Sequence, residues 1–505
     1  MHNCLRSGFE LVSQAKEKHV LKPRTPSQRL LSHNQNEYSI ELLEFDPVSG
    51  AVSFKKGPRT AFSRIRLVSS GENVTKPTDG VASGSSTRRS FLKHGLGIAV
   101  ATSTLDGTLK NAVAQNAPAI ANGAPDVAVV GAGAFGAWTA LFLRERGVKV
   151  TLIDAYGPGN ARSTSSGQSR QIRYGYGDRE VYTRSIVKAF PIWRAREKEW
   201  GVKLLYPGTR LSMGERSGPR LEAQKQIFER LHLPYEMVKH DELSRRFPQV
   251  SFEGIEESFV EPDAAMIMAK DAILKIADEF VQRGGTLRIA QAMPGATSGR
   301  RLETLNLTGN ETLRANTFVF ACGPWLRKMF PGILSRKLAI TRCDVVYFGT
   351  PPGDTRFFWP NFPQLNGEMS TYAAFPESAG LKVIPVGGGN IDPDDAERIV
   401  APEQVRRARE YIARRIPALK DQPIASGEVC QFETAANEDF LIDKHPDYDN
   451  VWIAGGGSAH GFKHGPTIGE YIADRVSGRP GEPEMDKIFS LAEHKEVTAT
   501  GGMGG

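Results

Sequence analysis

The sequence predicts an α/β fold organised around a dinucleotide-binding βαβ unit. Three observations predict it. Ala128-Val129-Val130 is a short apolar run that leads directly into Gly131-Ala132-Gly133-Ala134-Phe135-Gly136. A helical stretch, Ala137–Arg146, follows and is closed by Gly147. A second apolar run, Val148–Ile153, then ends at Asp154, eighteen residues after Gly136. Strand, GxGxxG turn, helix, strand and acid therefore stand in the order a dinucleotide site requires.

Each part has a physical task. Gly131 permits the tight turn, and Gly133 lets the backbone approach a pyrophosphate. Gly136 allows helix and sheet to pack closely. The start of the helix offers unpaired N–H groups and a favourable dipole for phosphate. Asp154 can accept hydrogen bonds from ribose hydroxyls, and its charge disfavours a 2′-phosphate. The unit alone does not separate NAD from FAD.

The remaining composition narrows the class. The chain has 505 residues, 40% apolar and 24% charged, which suits two or three globular domains. Four cysteines, Cys4, Cys322, Cys343 and Cys430, lack CxxC spacing and are too scattered for a disulfide framework, so no metal site is expected. The net charge of +7 is confined to residues 1–123, with 16 Lys and Arg against 9 Asp and Glu. Residues 124–505 balance at 48 of each, so nothing there attracts nucleic acid or an anionic lipid surface.

Thr87-Arg88-Arg89-Ser90-Phe91-Leu92-Lys93 precedes a weakly apolar stretch that ends at Ala112-Val113-Ala114. Paired arginines, a short apolar run and an A-x-A site resemble a twin-arginine signal peptide. The run is too short for a stable membrane anchor. It implies export to the periplasm or the medium through the twin-arginine machinery. The 86 preceding residues are polar and without a motif, and the reading is that synthesis starts near Val68–Ser86 or that residues 1–86 are a disordered extension.

Further motifs lie downstream. Ser165–Tyr174 brings Arg170 and Arg173 into one polar loop, and Thr317–Ala321 is a β-type run before Cys322-Gly323-Pro324-Trp325. Near the C-terminus, Cys430-Gln431-Phe432-Glu433-Thr434 and Phe440-Leu441-Ile442-Asp443 lead to Val451–Ala454. A glycine cluster and His460-Gly461-Phe462-Lys463 come next, a second place where backbone is set against a ligand.

With Arg170-x-x-Arg173, Gly380-Leu381-Lys382, Cys430 and His460-Gly461-Phe462-Lys463, the sequence resembles the D-amino-acid-oxidase-type (DAO) flavoproteins from about Asp126 to Arg475. Within them it resembles the monomeric sarcosine oxidase and N-methyltryptophan oxidase group. The resemblance implies a Rossmann-like FAD-binding domain interleaved with a substrate domain built on a large mixed β-sheet. The corresponding segments are 124–206, 264–335 and 437–486 for FAD, 207–263 and 336–436 for substrate, and 487–505 as a flexible tail.

It also implies roles. FAD would be bound by Gly131, Gly133, Gly136, Asp154, Gly461 and Phe462 and attached covalently through Cys430. Arg173 and Lys463 would hold a substrate carboxylate. Lys382 would assist oxygen at the flavin, Arg170 would lie beside the flavin, and His460 would lie near flavin and substrate or serve structure. Cys322 and Cys343 read as core residues. The activity implied is oxidation of a secondary amine, an N-methyl or N-alkyl amino acid, by hydride transfer to flavin with O₂ reduced to H₂O₂. A dehydrogenase passing electrons to a carrier and a non-catalytic flavin binder are the alternatives. Val386, Phe432 and Ala373 replace polar positions of the group, which points away from sarcosine toward a bulkier N-substituted amino acid. The protein is expected to be a monomer.

Overall fold

The computed structural model describes residues 126–214 and 218–497. It also assigns strands within residues 1–105, which form a separate unit: Phe9–Ser13 pairs with Val20–Leu21 and Ile65–Ser69, and Glu41–Phe45 pairs with Val52–Lys56. Residues 1–86, read from sequence as disordered or untranslated, thus contain these five strands, and the rest of that stretch lies outside the described residues. So does the twin-arginine segment 87–114.

The second unit, Asp106–Gly505, is built on two large sheets. The first has six strands in the order Thr286–Ile289, Val150–Asp154, Val127–Val130, Thr317–Phe320, Val451–Gly455, Leu441–Lys444. The first five run parallel and the last antiparallel. Val127–Val130 is buried at every position, as a strand covered on both faces must be. Helices Ala134–Glu145, Ala269–Gln282 and Gly465–Val476 bury their apolar sides, with Trp138, Leu141, Ile273 and Ile472 all at 0% exposure.

The second sheet has nine strands. Eight of them, Glu236–Lys239, Glu257–Met268, Leu205–Ser212, Gln364–Asn366, Ser370–Tyr372, Leu381–Ile384, Leu338–Phe348 and Ile424–Ala435, follow one another across it. Ser169–Ile172 pairs with Glu257–Met268 as the ninth. Its pairing is antiparallel except where Gln364–Asn366 lies parallel to Leu205–Ser212, so the sheet is mixed. Ser169–Ile172 carries the large sheet into the segment expected to bind FAD, and Glu257–Met268 runs without interruption past the boundary expected at 263.

The C-terminal segment departs from the flexible tail expected over 487–505. Phe489 is 1% exposed and packs among Tyr182, Phe440 and Tyr471, with ring centroids 5.5–6.2 Å apart. Ile442 N–H donates to Phe489 O at 2.9 Å, and Val497 N–H donates to Arg336 O at 2.7 Å. Burial of one aromatic ring and its backbone hydrogen bonds holds the chain against the body as far as Val497. Among the described residues no helix is long and apolar enough to cross a membrane.

Candidate active site and cofactor cleft

Strand Val127–Val130 delivers the chain into the glycine turn. Gly131 has φ +104°, a conformation that side chains resist, and a Cβ there would lie 2.2 Å from Ala321 O. A Cβ on Gly136 would lie 1.9 Å from Gly131 O. Both positions therefore require glycine, as the fingerprint implies. At the helix start, Ala134 N–H donates to Ser165 Oγ at 3.1 Å.

Asp154 faces the same cleft. Its Oδ2 accepts from Ala132 N–H, and its Oδ1 from Tyr156 and Gly157 N–H, each at 2.9 Å. Burial raises its pKa, and those three hydrogen bonds oppose the rise. Asp154 thus pins the turn as well as offering its remaining lone pairs to a ribose. The cleft, partly open to solvent, is lined by Gly131, Gly133, Asp154, Arg170, Glu433, Gly461 and Phe462, among others.

Arg170, which also lines the cleft, brings two further expected residues close to it. Arg170 donates to Thr164 O at 2.7 Å and Ser169 O at 2.9 Å, and its Nη2 lies 3.5 Å from Cys430 Sγ. Cys430 stands on strand Ile424–Ala435, directly opposite Cys343 on Leu338–Phe348, and both are buried. Lys382 is 1% exposed, and its Nζ donates to Ser169 O at 2.8 Å. Nζ also lies 5.4 Å from the Tyr372 ring centroid and 6.0 Å from that of Tyr347. Burial, reinforced by the Arg170 charge, pushes its pKa down to about 7.

The second cluster surrounds Tyr176. Lys463 donates from Nζ to Tyr176 Oη at 2.9 Å and to His460 O at 3.1 Å. The Arg173 guanidinium lies 4.5 Å from the centroid of the same ring. Tyr176 Oη is 2.7 Å from His464 Nε2 and 3.4 Å from His460 Nδ1. His464 Nδ1 reaches Ser185 Oγ at 2.9 Å, and His460 Nε2 reaches Glu438 O at 3.0 Å. Burial and the Lys463 charge hold both imidazoles well below their ordinary pKa, so they are neutral. Lys463 is itself held well below its ordinary value by burial, Arg173 and Arg210.

Glu261, the carboxylate near this cluster, is already engaged. It accepts from Arg210 Nη1 at 2.5 Å and from Tyr174 and Gly175 N–H at 2.7 and 3.1 Å. Neither Arg173 nor Lys463 forms an ion pair with a carboxylate among the described residues. Arg173 and Lys463 therefore meet at Tyr176 without a carboxylate partner among the described residues, an arrangement that an anion would complete.

Sequence reading missed Tyr176, His464, Ser165 and Glu433. Tyr176 stands three residues after Arg173 and His464 one after Lys463, but neither adjacency carries a chemical signature. Phe462 stacks on Trp193 at 5.9 Å, and Phe432 lines the cleft. Ala373 is fully enclosed, and Cys322 lines the cleft beside Gly323 and is half-buried, not the core residue expected.

A parallel sheet with a glycine cradle, joined to a mixed sheet whose Arg170 lines the same cleft, defines a two-part dinucleotide-dependent oxidoreductase. Comparison with known proteins gives the family: the chain belongs to the FAD dependent oxidoreductase (DAO) family, which matches residues 126–475. It is 27% identical to monomeric sarcosine oxidase of Bacillus sp. (strain NS-129) over 381 residues, 72% of this chain and 96% of that one. It is 23% identical to N-methyl-L-tryptophan oxidase of Yersinia pestis (strain Pestoides F) over 379 residues, 73% and 99% of the two chains. Among solved structures, L-proline dehydrogenase from P. horikoshii shares the fold with a TM-score of 0.64 at 18% identity, covering 73% of this chain and 97% of that one. The cofactor is FAD, and the glycine turns and the cleft-facing Asp154 fit it.

Proposed function

We propose that the protein oxidises a secondary amine, an N-methyl or N-alkyl amino acid, with FAD linked to Cys430 and O₂ as electron acceptor. The observation that carries this reading is the pair of basic side chains at Tyr176, Arg173 and Lys463, neither matched by a carboxylate among the described residues. A substrate carboxylate restores the balance. Arg173 offers a planar fork and Lys463 a compact charge, and the carboxylate favours the charged form of Lys463 that burial disfavours. The relatives named for sarcosine and N-methyl-L-tryptophan support an amino acid carrying an N-methyl group.

Bound FAD supplies the two-electron acceptor: substrate gives up hydride, the imine is hydrolysed to amine and aldehyde or keto acid, and O₂ leaves as H₂O₂. The protein residues orient and stabilise. The Arg170 guanidinium is fixed by two backbone carbonyls and holds the Cys430 thiol in place for the thioether. Lys382 sets a buried amine close to Arg170, where its protonated form favours negative charge developing on oxygen. Val386, Phe432 and Ala373 leave fewer proton acceptors than the polar positions they replace, so the amine binds as the free base or gives its proton to water, in a pocket suited to a bulkier N-substituent than that of sarcosine.

The test is a panel of N-alkyl amino acids. Anaerobic addition bleaches the flavin, and admission of air gives one H₂O₂ per flavin reduced. Bleaching without peroxide reassigns the protein as a dehydrogenase, and no bleaching across the panel removes the catalytic reading. Acid precipitation reads the linkage: yellow remains in the pellet and moves to the supernatant in Cys430→Ser. Export through Arg88-Arg89 is part of the proposal, and Arg88→Lys/Arg89→Lys is expected to leave the protein in the cytoplasm on fractionation.

A further inference from the structure

The loop that follows Arg173 is held by side chains from other elements. Strand Ser169–Ile172 pairs with Glu257–Met268 as far as Ile172 opposite Ala265, and the ladder ends there. Just beyond, the register of Glu257–Met268 against Leu205–Ser212 shifts by a bulge between Glu261 and Ala264. Past the ladder, Tyr174 and Gly175 N–H both donate to Glu261 Oε2, at 2.7 and 3.1 Å. Gly177 N–H donates at 2.8 Å to Oε1 of Gln224, on helix Pro219–Arg230. Glu261 and Gln224 are each 1% exposed. A Cβ on Gly175 would lie 2.9 Å from an oxygen of both, so the loop passes between the two acceptors with no room for a side chain.

We propose that Glu261 and Gln224 are positioning residues for the substrate-carboxylate site: by gripping three backbone N–H groups of residues 174–177 they hold Arg173 and Tyr176 in place against Lys463. Arg173 immediately precedes the first gripped N–H, and its guanidinium lies 4.5 Å from the Tyr176 ring centroid. Tyr176 immediately precedes the last, and its hydroxyl accepts from Lys463 Nζ at 2.9 Å. A planar fork and a point charge share one carboxylate only at a fixed spacing. A shift of about 1 Å in the loop is enough to uncouple them.

Glu261 is itself fixed. Its Oε1 accepts from Arg210 Nη1 at 2.5 Å, and Arg210 stands directly opposite it on Leu205–Ser212. The ion pair makes Glu261 a charge-assisted acceptor for the two N–H groups. Arg210 Nε donates to Asn366 Oδ1 at 3.0 Å, and that oxygen also accepts from Gln171 Nε2 at 2.8 Å. Gln171 stands two residues before Arg173, so the chain is tied on both sides of the guanidinium: through Asn366 before it, through Glu261 and Gln224 after it. The inference rests on the carboxylate site proposed above and assigns the residues that give it its shape.

The experiment measures the dissociation constant of propionate by calorimetry on the holoenzyme, for the unsubstituted protein, Glu261→Gln, Glu261→Met and Gln224→Met. Flavin content and melting temperature are recorded for each. Glu261→Gln and Glu261→Met remove the same charge, so the difference between them reads the acceptor alone. Glu261→Met is expected to bind propionate at least about tenfold more weakly than Glu261→Gln, whose amide oxygen still accepts from Tyr174 and Gly175. Gln224→Met alters no charge and leaves the Arg210–Glu261 pair in place; it is expected to weaken binding about 3–10-fold at full flavin content. In turnover of the best substrate of the N-alkyl panel the same factor enters KM, with kcat changed less than about threefold, a split that a general loss of stability does not produce. Equal binding by Glu261→Gln and Glu261→Met, or unchanged binding by Gln224→Met, overturns the positioning role and leaves the carboxylate site standing. No propionate binding by the unsubstituted protein overturns the carboxylate site, and this inference with it. Gln224→Met decides the matter where the Glu261 variants fail to fold.

Discussion

The two ends of the cleft are built from different materials. At the nucleotide end the work is done by backbone: a turn that excludes any Cβ at Gly131 and Gly136, a helix start, and one carboxylate that accepts three N–H bonds. Around Tyr176 it is done by side chains from distant segments: Arg173 from the first third, Arg210 and Glu261 from the large sheet, and Lys463 from a turn near the C-terminus. The first end is nearly neutral and geometric; the second is charged and depends on balance. A backbone site tolerates change in chemistry but not in shape, and a charged site the reverse.

This contrast can be broken in order of expected effect. Lys463→Met is the largest: kcat/KM for carboxylate-bearing amines should fall on the order of 10²–10³-fold, since a buried charge partner is lost. An amine of the same size without a carboxylate should lose less than about tenfold, and equal losses on both would remove the anion site. Lys382→Met comes next. Its rate of reoxidation by O₂ in stopped flow should drop about 10²-fold, with substrate-driven reduction under anaerobic conditions slowed much less. A drop confined to reduction would move Lys382 to the substrate side.

Proton linkage sharpens the comparison further. Lys463 is held below its ordinary pKa in the free site, and a bound carboxylate raises it. Binding of a carboxylate inhibitor therefore takes up a proton, and affinity weakens as pH rises from the free to the bound value, by up to about tenfold per unit. Calorimetry in two buffers of different ionisation enthalpy reads that uptake, and zero uptake across pH 6–10 would contradict the charge assignment. Tyr176→Phe is the smallest: it removes one hydroxyl from the Lys463–His464 chain and should cost about 3–10-fold in KM for the amino acid.

The unequal legibility of the two ends has the same origin. Gly131, Gly136 and Asp154 could be read directly because a turn constrains consecutive residues, and spacing in the chain is spacing in space. Arg173 and Lys463 are 290 positions apart and became a pair only through resemblance to a family. Tyr176, which joins them, is an ordinary aromatic in sequence. Glu433 was passed over because a carboxyl on a β-strand carries no signature in sequence, and its packing against the Gly455 turn is visible only once the sheet is formed. Phe489 taught the reverse error, since a polar C-terminal composition hid one buried ring that anchors the segment.

The register of Cys343 against Cys430 has a consequence for chemical survival. Arg342 N–H donates to Gly389 O, and Gln431 O accepts from Thr164 Oγ1, so both turn their backbone away from one another. Cys343 and Cys430, one position along, are then the pair that exchanges ladder hydrogen bonds. Such a pair holds its Cβ atoms about 5 Å apart, whereas a disulfide wants about 3.8 Å. The ladder acts as a spacer between the two thiols, and it keeps the sulfur of Cys430 out of a disulfide, as the proposed thioether requires.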